Sequence, residues 1–211
     1  MKIKIVIIVV VFAFTLKAQT VYELVPGTKG NEITLQLSNV SGSESANNVE
    51  VKVIKSSNHL NFIESSKAID KIETSAEKEI IFLFDVNYNT NVNTADTLEF
   101  LITDNKKIYL TKSFVFNYTK PKDYSLEQNF PNPFNPSTKI RYTVPDLGSN
   151  PEVILKIYDI LGKEIATLVN EKQAPGYKEI DFNGSNLASG VYIYRLSAGD
   201  FVSIKKMMLI K

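Results

Sequence analysis

The chain has 211 residues, with 24 Lys+Arg against 23 Asp+Glu and a single His, a formal +1. That length fits one domain or two small ones, and the charge balance leaves no basic excess for a phosphate backbone, so no nucleic-acid partner is expected. There is no Cys, which removes disulfides, thiolate metal sites, thiol nucleophiles and lipid attachment through an N-terminal Cys; one His leaves no multi-His metal site and little imidazole chemistry, and no cofactor is expected. Apolar residues make up 44%, with 12 Phe and 10 Tyr, enough to build a core.

Lys2 and Lys4 precede the apolar run 5–14, and Ala18 stands before Gln19. A positive start, a short apolar stretch and a small residue predict a secretory signal peptide over 1–18. Ten apolar residues are too few to cross a bilayer of about 30 Å as a helix. The competing reading is a buried strand, because Ile and Val dominate the run. Cleavage after Ala18 would remove Lys2, Lys4 and Lys17 and change the formal charge from +1 to −2, and no transmembrane helix is expected in the mature chain.

From Gln19 onward the apolar period is two. Ile33, Leu35 and Leu37 alternate with polar residues, as do Val49, Val51 and Val53. Ile80, Phe82, Phe84 and Val86 follow, then Leu98, Phe100 and Ile102, then Phe114 and Phe116. Turn-formers separate the runs: Pro26-Gly27, Ser41-Gly42-Ser43, the Asn-rich stretch 87–96 and Asp104-Asn105. Short alternating strands at this spacing predict an antiparallel sandwich over 19–118. The pattern breaks around Pro121, and 119–129 reads as an interdomain linker. Three prolines between Phe130 and Pro136 then forbid a helix or central strand, and Phe130 and Phe134 are expected to anchor that extended segment on a sheet face. Alternation resumes through Ile140, Tyr142 and Val144, then Val153, Leu155 and Ile157, and 165–169, with the last strands at 191–196 and 201–210. Six or seven short strands in 130–211 predict a second sandwich. The fold class is therefore all-β, two immunoglobulin-like antiparallel β-sandwiches in tandem.

Residues 124–211 also carry a family resemblance. Leu126-Glu127-Gln128-Asn129-Phe130-Pro131-Asn132-Pro133-Phe134-Asn135-Pro136-Ser137-Thr138 opens it, and Ile157-Tyr158-Asp159-Ile160-Leu161-Gly162 and Gly176-Tyr177 follow. Leu187-Ala188-Ser189-Gly190-Val191-Tyr192-Ile193-Tyr194-Arg195-Leu196 and Lys205-Lys206-Met207-Met208-Leu209-Ile210-Lys211 complete it. In order and to the last residue, this resembles the type A C-terminal sorting domain of the type IX secretion system of Gram-negative bacteria. The resemblance implies a seven-stranded immunoglobulin-like domain that directs exported cargo through the periplasm to an outer-membrane translocon. It further implies a surface sorting peptidase that removes the domain and joins cargo to lipopolysaccharide, with the cut in the linker near 118–125. Carried over by position, the sorting-motif residues are Asn132, Pro133, Gly162, Gly176, Tyr177, Gly190, Tyr192, Lys205, Lys206 and Lys211. Each also has a structural reading: the glycines as turn residues, Tyr192 as sheet or core. The strand-and-turn pattern of 157–162 and 190–196 is also similar to the immunoglobulin-like domain of flagellar hook-capping proteins, from which the N-terminal leader departs.

Motifs for chemistry are scarce. His59 has no strained Gly-x-Ser-x-Gly elbow to serve and reads as a surface or loop histidine. The stretch 181–186 has its Gly misplaced for a calcium loop and lacks a closing Glu, so a turn is expected. The passenger, 19–118, reads as a non-enzymatic adhesion, binding or spacer module; the alternatives are the accessory remnant of a secreted hydrolase and a small hydrolase of unfamiliar design.

Overall fold

The computed structural model describes residues 4–10 (backbone only), 21–104 and 106–211. Every regular element among them is a β-strand, and the chain divides into two compact units, Met1–Thr119 and Lys120–Lys211. Each unit is a β-sandwich of two sheets.

In the first unit one sheet has the order β1-β3-β7-β5 and the other β2-β9-β8-β4-β6. The first comprises β1 (Lys4–Val10), β3 (Asn31–Ser38), β7 (Glu77–Val86) and β5 (Leu60–Phe62). The second comprises β2 (Val21–Leu24), β9 (Tyr109–Tyr118), β8 (Asp96–Thr103), β4 (Ala46–Lys55) and β6 (Ser66–Ile72). The alternation produces the core directly. Ile33, Leu35, Phe82 and Phe84 of one sheet and Val51, Leu98, Phe100 and Phe116 of the other are fully buried, because period-two spacing sends every second side chain to one face. Phe82 and Phe100 meet across the sandwich at 5.0 Å between ring centroids, a separation at which aromatic pairs attract. The Asn-rich stretch 87–96 is a connection, and it is pinned: Val92 and Thr90 are buried.

The leader predicted over 1–18 lies outside the described residues except for β1, which runs parallel to β3 with Ile7 opposite Leu35. A run of Ile and Val suits extended backbone.

In the second unit β10 (Ser125–Leu126), β11 (Ser137–Val144) and β14 (Gly176–Asn183) form one sheet. The other has the order β13-β12-β15-β16, from β12 (Glu152–Tyr158), β13 (Glu164–Lys172), β15 (Gly190–Ala198) and β16 (Phe201–Leu209). Ile140, Tyr142, Leu155, Ile157, Tyr194 and Leu196 make its core. Residues 120–129, inside the stretch read as linker, run along this unit. Lys120 pairs with Asp146 at 2.7 Å, Thr143 Oγ1 donates to the Asp123 carbonyl at 2.7 Å, and Leu126 and Asn129 are buried. A two-residue strand has too little alternation to show in a sequence.

Candidate functional site

The two ends of the sorting motif meet. β16 is the outer strand of its sheet, and such an edge presents unpaired N–H and C=O groups. Here the proline-rich opening segment occupies them. Asn132 Oδ1 accepts the Met208 N–H at 2.9 Å. The Phe134 N–H donates to the Met208 carbonyl at 2.9 Å, and its carbonyl accepts the Ile210 N–H at 3.0 Å. Gln128 Nε2 donates to the Lys206 carbonyl at 2.7 Å. Prolines at 131, 133 and 136 have no N–H to offer a further strand, so the segment closes the edge without creating a new one.

The same segment is anchored inward. Phe134 is 2% exposed and its ring lies 6.0 Å from that of Phe182. Gly184 stands against this pair, and a Cβ there would come within 3.1 Å of Leu209 and 3.3 Å of Phe134. Tyr194 is fully buried, and its hydroxyl donates to the Glu127 carbonyl while accepting the Asn129 N–H, both at 2.8 Å. Burial pushes that hydroxyl's pKa up to about 12, so it remains a neutral donor. Asn129 Nδ2 then ties the Pro131 carbonyl and Thr138 Oγ1 at 2.9 Å each. Phe130 departs from expectation: it is 78% exposed, and only its backbone is held, pairing with Lys139 in both directions at 3.0 Å. One Phe of the two is therefore the anchor.

Of the other motif residues, some join this cluster. Gly190 lies opposite Leu209, Tyr192 opposite Met207, Lys206 opposite Ile193 and Lys205 opposite Tyr194. Lys211 Nζ donates to the Ser185 carbonyl at 2.7 Å and its N–H to Ser189 Oγ at 3.1 Å. Tyr192 is 9% exposed and donates to the Ala188 carbonyl at 2.8 Å. Asn132, Pro133, Gly190, Tyr192, Lys205, Lys206 and Lys211 thus surround one strand. Gly162, Gly176 and Tyr177 do not. Gly162 sits in the β12–β13 turn at φ 83°, a left-handed conformation that favours glycine, beside the exposed Ile160 and Leu161. Gly176 and Tyr177 open β14 on the other sheet, opposite Val144 and Thr143, where burial raises the Tyr177 hydroxyl's pKa. Asn129, Gly184 and Tyr194 escaped the sequence reading as site residues, and Phe134 entered it only as an anchor. Their partners lie far off in the chain, Asn129 and Tyr194 being 65 positions apart, and no local pattern announces such pairs.

One polar cluster of the first unit centres on Asp96. His59, in the connection before β5, places Nδ1 3.0 Å from Asp96 Oδ2, and the Tyr118 hydroxyl donates to the same oxygen. Ser57 also hydrogen-bonds the carboxylate. Burial pushes the Asp96 pKa up, but the bonds from Ser57, Tyr118 and His59 outweigh it and leave the group below its usual range. The cluster binds the start of β8 and the end of β9 to the connection leading into β5 in the opposite sheet. Among the described residues no group of three or more His, Cys, Asp or Glu could hold a metal ion. The turn at 183–187 closes through Asn183 Oδ1 to the Ser185 N–H at 2.8 Å.

The family model described as "Secretion system C-terminal sorting domain" matches residues 128–211. Among solved structures, dimeric latent PorU from Porphyromonas gingivalis is similar over 93% of this chain at 16% identity and a TM-score of 0.35, and this chain spans 19% of that one. The D0-D1 domain of intimin is similar over 89% of this chain and 94% of its own, at 10% identity and a TM-score of 0.28. The calcium binding domain CBD12 of CALX1.1 is similar over 84% and 77%, at 12% identity and a TM-score of 0.35. No curated protein matches the chain.

Proposed function

We propose that residues 128–211, which match the model of a secretion system C-terminal sorting domain, are a type IX sorting domain, and that the chain is a non-enzymatic secreted or cell-surface protein whose first sandwich is the passenger. The family match over 128–211 carries the reading: the domain implies export by the type IX machinery and an extracellular or surface destination. The route we infer begins with the leader at 1–18, passes through the periplasm, and ends at the outer-membrane translocon. Removal by the surface sorting peptidase in the stretch 118–125, with attachment to lipopolysaccharide, belongs to the same proposal. The interlock of opening segment and terminal strand supports a signal read as a folded domain rather than as a linear tag.

For the passenger we infer adhesion, binding or spacing. His59, the sole imidazole of the chain, is engaged by Asp96 and packs edge-on to Tyr118 at 5.9 Å, which favours a structural duty. The test follows the full chain and a version lacking Lys205–Lys211 in a host with type IX machinery, by fractionation and terminal mass spectrometry. The full chain should reach the surface without its C-terminal domain, and the truncation should stall in the periplasm. Equal export of both at full length would sink the reading.

A further inference from the structure

The terminal strand has two ways to be read: along its edge or from its outer face. The edge is occupied, because Gln128, Asn132 and Phe134 take the outward backbone groups of residues 206, 208 and 210, so strand addition there would first have to displace the opening segment. The face is open. Val191, Val202, Ile204 and Met208 are 38%, 48%, 58% and 44% exposed. They belong to one surface because Val191 is paired with Met208, Arg195 with Ile204 and Ser197 with Val202. Exposed apolar side chains gathered on one sheet face are a feature of interaction sites.

Two cations sit in this apolar field. Arg195 and Lys206 are exposed, and no ion pair engages either of them among the described residues. Arg195 moreover stands directly opposite Lys156. Like charges facing each other across strands oppose folding, and although Glu164 holds Lys156 at 2.8 Å, no ion pair among the described residues answers Arg195. An arrangement that folding does not favour is better explained by a partner that brings the missing carboxylates. An apolar centre with unpaired cations describes that partner by complementarity.

Resting on the sorting reading, we propose that the outer face of β15–β16 is the docking surface for a protein of the export apparatus that presents an apolar patch flanked by Asp or Glu side chains. The test exports three full-length chains in a type IX host: wild type, Arg195→Glu with Lys206→Glu, and Arg195→Lys with Lys206→Arg. Charge reversal should lower surface delivery by at least about tenfold, as expected for like charges juxtaposed at an interface, whereas the conservative pair should be exported normally. The conservative variant should keep the wild-type unfolding midpoint and the reversed one should match or exceed it, since Arg195→Glu sets a carboxylate opposite Lys156. Export of the reversed chain at the wild-type level overturns the proposal. A chain lacking 128–211 runs alongside: its retention leaves the sorting reading standing, and its export would mean that the reading itself has failed. A photo-cross-linker at position 204 supplies the second measurement. An adduct to an export protein at a peptide containing Asp or Glu, lost on charge reversal, is expected; an adduct to lipid, to a second copy of the chain, or none at all, overturns the proposal.

Discussion

Asp96 shows how a single group in the first unit is stabilised against its own burial. Its side chain is 15% exposed, which alone would favour the protonated form, yet three hydrogen bonds to the anion prevail. The folded-state pKa lies below the unfolded one, so the cluster's contribution is present above about pH 4, the ordinary Asp value, and is lost as pH falls through the folded pKa. Asp96→Asn should therefore lower the unfolding midpoint at pH 7, and the gap to wild type should narrow as titration proceeds from about pH 5 downward. A gap independent of pH would show that charge plays no part. In the second unit Tyr194→Phe keeps the buried ring but removes the hydroxyl's bonds to the Glu127 carbonyl and the Asn129 N–H. Unmade buried hydrogen bonds cost about 1–3 kcal/mol, so chemical denaturation should report a loss in that range with the fold retained.

At the level of elements, the terminal strand is best understood together with the segment that caps it. β16 is paired on one side by β15 through nine residue pairs, Gly190–Leu209 to Ala198–Phe201, and on the other by the opening segment. The side chain that fastens this segment is Phe134. Phe134→Ala removes a ring buried between Phe182, Leu209 and Gly184; large-to-small core changes of this kind cost about 3–5 kcal/mol. The same change should unlatch residues 130–136, and hydrogen exchange at Met208 and Ile210, whose amides depend on Asn132 and Phe134, should rise more than exchange at Met207 and Leu209. Uniform acceleration along β16 would mean that the segment does not guard the edge.

For the molecule as a whole, each unit closes its own aromatic core: Phe82, Phe84 and Phe100 in the first, Tyr142, Phe134 and Tyr194 in the second. Two such cores predict two unfolding transitions. Phe100→Ala should depress one and Phe134→Ala the other, each by several degrees, as read by calorimetry of the full chain. A single transition that moves with either substitution would contradict this.

Much of the strand layout is legible in the sequence because the physical signal is local. Ile33, Leu35 and Leu37, or Ile80, Phe82 and Phe84, must all face one way once the chain is extended, and the neighbouring turn-formers delimit each run. Short strands are a different matter: β5 spans Leu60–Phe62 and β10 Ser125–Leu126, too few residues for a period to develop. Side-chain roles divide along the same line. Tyr192 reads equally well as core or as sheet surface until the packed sheets bury it, and Phe130 and Phe134 read as equivalent anchors although only one is buried.

What the sequence determines by itself is therefore the all-β class and the ordered motifs of the sorting domain, both written in neighbouring residues. Only the tertiary structure decides that the first residues of that domain close the edge of its last strand, and that Arg195 and Lys206 share an open apolar face. Those relations join positions 60 to 80 residues apart or lie on adjacent strands, and chain folding, not local periodicity, brings them together.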